Sequence, residues 1–247
     1  MLKVNSSNLQ GNLAMAFKRL LIPAEFAKGD KLTSDLVGIG FRFAAPMPKE
    51  EPNIEDTIIA ASLEGIANDD YRMLSLLVDW FSIHVARVNV DRLVNAVQLV
   101  QEKKVKTFWA SLAEWQKKDW RLKKLQKVYT GPRLDLIGEG TEFLIERQGE
   151  DERFCGTFLR IPNNLLRHRP NDVLTPEELA RRSLSYHFRI MIGPSYRADM
   201  WALLEKNSEL TPSEIARQSY GSFPTAWEVK RDWLLLHQLT TRELQAS

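Results

Sequence analysis

The chain has 247 residues, room for one large or two ordinary domains, and its 44% hydrophobic and 27% charged content excludes disordered and collagen-like classes. A single cysteine, Cys155, excludes an intramolecular disulfide framework and a multi-thiolate zinc site, and suits a reducing compartment. Net charge is +2, yet residues 101–133 hold ten Lys/Arg against Glu102, Glu114 and Asp119, which leaves the other 214 residues at −5. That concentration points to a surface facing a polyanion or an acidic partner. The start lacks the apolar core of a signal peptide, and no stretch approaches the ~20 apolar residues a bilayer requires, so a cytoplasmic protein without membrane contact is expected.

Residues 1–53 form an N-terminal segment with a helical pattern over Leu13 to Phe26 and an extended or strand pattern over Leu36 to Phe43. Pro46, Pro48 and Pro52 then mark a boundary, because proline removes a donor and biases its predecessor away from helix. Residues 54–130 read as a helical bundle. Asn53 suits an N-cap, Glu55 and Asp56 complement the helix dipole, and Ile54, Ile58, Ile59 and Ile66 supply an apolar stripe. Asp69 or Asp70 caps a second helix through Leu74, Leu77, Phe81 and Val85; Asn89 or Asp91 starts a third through Leu93, Val94, Val97 and Val100. The short connections favour antiparallel packing.

Taken as one helix, residues 103–127 place Val105, Phe108, Leu112 and Trp115 on one face and Lys106, Trp109, Gln116, Trp120, Lys124 and Lys127 on a neighbouring face, with a break expected at Asp119. Lysines interleaved with tryptophan suit a phosphate-tracking surface; the alternative is a solvated lysine face over buried tryptophans. Residues 131–173 switch to short alternating runs, Leu134 to Ile137, Glu142 to Glu146 and Phe154 to Ile161, which predict a hairpin or small meander, with Cys155 as a small core residue. Helix resumes over 174–247. LTPEELARRS at 174–183 and LTPSEIARQS at 210–219 share seven residues in ten, and each encodes a helix start with threonine as N-cap, proline at the first helical position and glutamate at the third. The expected fold is mostly α, of α+β type.

The C-terminal part has the order of a helix-turn-helix: a helix over Arg197 to Lys206, a turn, a short helix over Pro212 to Ser219, a turn at Tyr220-Gly221-Ser222, and a longer helix over Pro224 to Leu236 capped by Ser222. The run GPSYRADMWALLEKNSELTPSEIARQSYGSFPTAWEVKRDWLL resembles bacterial winged helix-turn-helix transcriptional regulators over about 45 residues. That resemblance implies Ile215 and Ala216 as apolar contacts of the positioning helix and Gly221 in the turn. It also implies Thr225, Trp227, Glu228 and Arg231 as outward residues of a recognition helix, with Ala226, Val229, Trp233 and Leu236 inward. Two features depart from the pattern. TTRELQAS is a poor match to the expected two-stranded wing, and residues 196–247 carry six Lys/Arg against seven Asp/Glu.

His84, His168, His187 and His237 form no ligand pair, no glycine-rich phosphate loop occurs, and no cofactor or metal is implied. Arg182 and His187 resemble the R-x4-6-H motif of helical ribonuclease domains, a spacing common by chance. The expectation is therefore a non-enzymatic, DNA-binding transcriptional regulator that reads double-stranded DNA through Ser222, Thr225, Trp227, Glu228 and Arg231. Lys106, Lys124 and Lys127, or a homodimer, would assist. The alternative is a protein-interaction scaffold or antitoxin-like partner protein.

Overall fold

The computed structural model describes residues 19–245, with side chains to residue 237. Residues 13–18 of the expected first helix lie outside this range, and residues 19–28 are not helical. The first helix is α1 (Gly29–Gly38). The extended reading of Leu36 to Phe43 is thus corrected: Leu32, Leu36 and Ile39 are buried at helical spacing, and only Phe41 pairs as strand, in an isolated bridge to Val173.

The bundle starts where its caps are. Asn53 Oδ1 accepts from the Asp56 amide at 3.1 Å to open α2 (Ile54–Ala67). Asp70 accepts from Met73 at 2.9 Å to open α3 (Tyr71–His84), and Asn89 accepts from Arg92 at 3.2 Å to open α4 (Val90–Leu99). The segment expected as one helix divides into α5 (Lys103–Trp115), a 3-10 turn over Trp120–Leu122 and α6 (Lys123–Gln126), with Asp119 capping the turn. The shared lysine-tryptophan face does not form, because the break sets Trp120, Lys124 and Lys127 apart from α5 and, within α5, Trp109 is buried while Lys106 is not. Trp109 turns into the core, donating to Ser62 Oγ at 3.0 Å, while Trp120 is 76% exposed.

The small β element is parallel. β1 (Leu134–Asp135) pairs in register with β2 (Leu159–Arg160), Leu134 opposite Leu159. No hairpin joins them because the run Glu142 to Glu146 is helix, within α7 (Thr141–Gln148). Its Phe143 lies exposed, so the alternation marks no buried face. Cys155 is exposed as well, in a turn beside the buried Phe154, which corrects its assignment to the core.

Both similar runs form capping boxes: Thr175 with Glu178 at the start of α8 (Pro176–Ala180), and Thr211 with Glu214 at the start of α11 (Pro212–Gln218). Between them lie α9 (Leu184–Met191) and α10 (Tyr196–Lys206), and α12 (Phe223–Gln245) follows. The protein is a mostly α helical bundle with a small β element. Among the described residues it has two apolar cores, a large one extending from Leu32 to Tyr186 and a small one formed by Met200, Leu204, Ile215, Ala216, Ala226, Val229 and Trp233. The helical region that begins at residue 174 is thereby divided between them.

Candidate nucleic-acid interface

The small core holds α10, α11 and α12 as a three-helix module. Ile215 and Ala216 bury one side of α11; Ala226, Val229 and Trp233 bury the inner face of α12, as the apolar spacing requires. Gly221 fits beneath Met200, where a Cβ would collide with the terminal methyl. Ser222 caps α12: its Oγ accepts from the Thr225 amide at 3.2 Å and lies 2.7 Å from the Thr225 hydroxyl. Leu236, expected inward, is exposed instead, because the small core closes at Trp233.

On the outer face Trp227 is 51% exposed, and the Arg231 guanidinium lies 5.4 Å from its ring centroid. Arg231 also pairs with Asp232 at 3.1 Å, while Arg197 reaches Glu228 at 3.6 Å and Asp232 at 3.3 Å. The outward face therefore offers one stacked guanidinium, one indole and two carboxylates, Glu228 and Asp232, shared with Arg197 of α10. Leu234 and Leu235 continue it, and with Pro212, Trp227, Lys230 and Arg231 they line a groove of about 340 Å³. Lys230 is committed inward, its Nζ donating to the carbonyls of Ser208 and Leu210.

The other candidate cations lie in the larger body. Lys106 is half-buried in α5, Lys127 is exposed after α6, and Lys124 pairs with Asp91 at 3.3 Å with both side chains solvated. Among the described residues no hydrogen bond or ion pair joins these lysines to the module.

Where the module meets the bundle lie buried ion pairs that local sequence pattern does not reveal. Arg189 of α9 is 1% exposed and binds two carboxylates: Glu55 of α2 at 2.7 and 2.9 Å and Asp199 of α10 at 2.8 and 3.0 Å. Burial pushes Glu55 up, but Arg189, Arg92 and the Asn89 N–H hold its carboxyl below the ordinary range. Asp199 has fewer partners; burial prevails and its carboxyl sits above the usual range. Beside this group Arg92 pairs with Asp56, and its guanidinium lies 3.5 Å from the centroid of the Tyr220 ring. Burial raises Asp56 to about 6 against the pull of Arg92 and the Tyr220 hydroxyl. Two local features mark these groups singly in the sequence: an arginine inside the apolar run SYHFRIMI, and an acid directly beside Ile54.

The histidines are dispersed. His84 is buried between the Tyr186 hydroxyl at 2.7 Å and the Leu174 carbonyl at 3.1 Å, and the exposed His168 bonds the buried Asp79 at 2.7 Å. Arg182 and His187 do come together, with Glu177 and Arg181, around an open pocket of about 620 Å³. Among the described residues no group of three His, Cys, Asp or Glu is placed to hold a metal ion, and no helix is long and apolar enough to cross a membrane. No protein-family model, no characterised protein and no solved structure matches the chain.

Proposed function

We propose that the α10–α12 module reads double-stranded DNA and that the chain is a sequence-specific transcriptional regulator. The observation that carries this reading is the exposure of the first turns of α12. Thr225, Trp227, Glu228 and Arg231 face outward while α11 braces the helix from behind, the arrangement in which a second helix enters the major groove. Arg231 is the group suited to a base edge, and two linked copies would read two half-sites. Selection from random duplexes tests the proposal. A motif should be enriched, and Arg231→Ala combined with Thr225→Ala should weaken binding to it by ~1 to 3 kcal/mol per lost base contact while leaving random DNA little affected. Enrichment of no motif above background refutes it.

A second reading, a protein-interaction scaffold, is favoured by the same face further along. Leu234, Leu235 and Leu236 are exposed on a module whose charges sum to −1, which suits a protein surface better than a phosphate backbone. Loss of partner binding in Leu234→Glu with Leu235→Glu, in a protein that selects no duplex, would decide for it.

A further inference from the structure

The two apolar cores are separate clusters, and charged groups carry much of the seam between them. The first turn of α2 provides two adjacent seats for that seam. Glu55 receives Arg189, which continues to Asp199 of α10, and Phe188 stacks on Trp201 nearby with centroids 6.4 Å apart. Asp56 receives Arg92, whose guanidinium lies over the ring of Tyr220, the residue that leads from α11 towards α12. Arg92 also donates to Asn53 Oδ1 at 3.1 Å and to the Leu21 carbonyl at 2.9 Å. Arg19 donates to the Tyr220 carbonyl at 2.6 Å and lies 4.4 Å over the Tyr196 ring. The non-helical stretch 19–28 thus crosses the seam as a strap, with Arg19 holding the turn and the Leu21 carbonyl held by Arg92.

Tyr220 has φ +57°, a backbone state that glycine adopts freely and a bulky residue adopts at a cost. The turn alone would be better served by glycine, so it is the side chain that this position uses. We propose that Tyr220 is a latch by which the bundle and the strap fix the pose of α12, while the Arg189 cluster acts as the hinge. The hinge is sealed, with Arg189, Glu55 and Asp199 all buried. The latch lies at the edge of the seam, and Asp56 and Tyr220 are each partly open to solvent. The charged and titratable groups around Asp56 are Arg92 from α4, Glu55 from its own helix and the neutral phenol of Tyr220 from the turn, with Arg19 beyond the tyrosine and Arg189 behind Glu55. Opening the latch turns α12 relative to the bundle while both cores stay folded. This holds whether α12 meets DNA or a protein.

The test is a distance measurement in the full chain. In a Cys155→Ser background, spin labels on Lys118→Cys and Arg217→Cys, both exposed positions, report the separation of bundle and module. The parent should give one narrow distribution. Tyr220→Gly, whose backbone suits the turn, should at least double its width or add a second population, while the Ala216 and Val229 amides stay protected from hydrogen exchange. Tyr220→Phe, which keeps the ring under Arg92, should restore most of the narrowness. Lys206→Gln, which removes the peripheral tie of α10 to Glu51, should leave the distribution unchanged. A Tyr220→Gly distribution as narrow as the parent's overturns the proposal. So does equal broadening in Lys206→Gln, or loss of protection at Ala216 and Val229 in Tyr220→Gly, which would make the residue a determinant of module folding instead.

Discussion

Replacing Arg189 by methionine keeps most of the side-chain volume and removes the charge on which two buried carboxylates depend. The guanidinium makes two bonds to each of Glu55 and Asp199 and one to the Arg87 carbonyl at 3.2 Å, so no single partner could substitute for it. Breaking a buried pair by deleting one partner costs about 3 to 5 kcal/mol, a large part of the ~5 to 15 kcal/mol that holds a protein folded. The pH dependence gives the mechanism away. In the parent, Glu55 is held below its ordinary range, so its contribution is present above the unfolded carboxyl value and is lost as the pH falls through the depressed folded value. In Arg189→Met the Glu55 carboxyl should rise above its ordinary range and that of Asp199, already raised in the parent, should rise further. The folded state then takes up protons that the parent's does not, and the deficit shrinks on acidification by up to ~1.4 kcal/mol per pH unit for each additional proton bound. Urea unfolding at pH 8, 7 and 5.5 measures this. Arg42→Gln is the control, since its pair with Glu178 is exposed at 2.8 Å and should be worth no more than ~1 kcal/mol. A loss in Arg189→Met no larger than the control's, or a deficit that stays constant with pH, would refute the reasoning.

Two further outcomes are expected. Burial lowers the His84 imidazole to about 4 from 6.5, so the unfolded chain binds a proton in that interval that the native state refuses; stability should fall by roughly 3 kcal/mol as the pH drops through it. Urea midpoints of His84→Gln should be flatter over this range, and a decline parallel to the parent's would count against the assignment. If Lys106, Lys124 and Lys127 touch phosphates, replacing all three by glutamine should reduce the slope of log affinity against log salt by up to ~0.9 per contact on duplex DNA, whereas an unchanged slope returns them to a solvated surface.

Local rules carried the sequence reading a long way. Asn53 and both capping boxes start helices where their spacing says; of the residues that the helix-turn-helix resemblance implied as inward, Ala226, Val229 and Trp233 are buried and Leu236 is not. Short segments failed. TEFLIERQ satisfies a two-residue and a helical period almost equally over eight residues, and it folds as α7. A two-residue parallel pairing between Leu134 and Leu159 leaves no local turn signal. Lys106 and Trp109 parted because α5 packs Trp109 against Ser62, a contact 47 residues away in the chain. The same holds at the seam. Glu55 and Asp56 read as dipole partners of α2, and they do lie in its first turn, but their main contacts come from Arg189 and Arg92, 134 and 36 residues further on. Charge pairs at such separations have no period, so only the tertiary structure reveals them.

The polar character of the latch also has a thermal consequence. Exposing apolar surface raises the heat capacity of a protein, whereas exposing polar surface lowers it. Parting Arg92, Asp56 and Tyr220 should therefore leave calorimetric curvature almost level, unlike melting of either core, and a scan sensitive to cooperative unfolding would pass over it. Hydration of charged groups becomes less favourable on warming, which tightens such a contact with temperature, while apolar burial weakens on cooling. The two halves of the molecule should accordingly be freest to move against each other in the cold, far below the temperature at which either one unfolds.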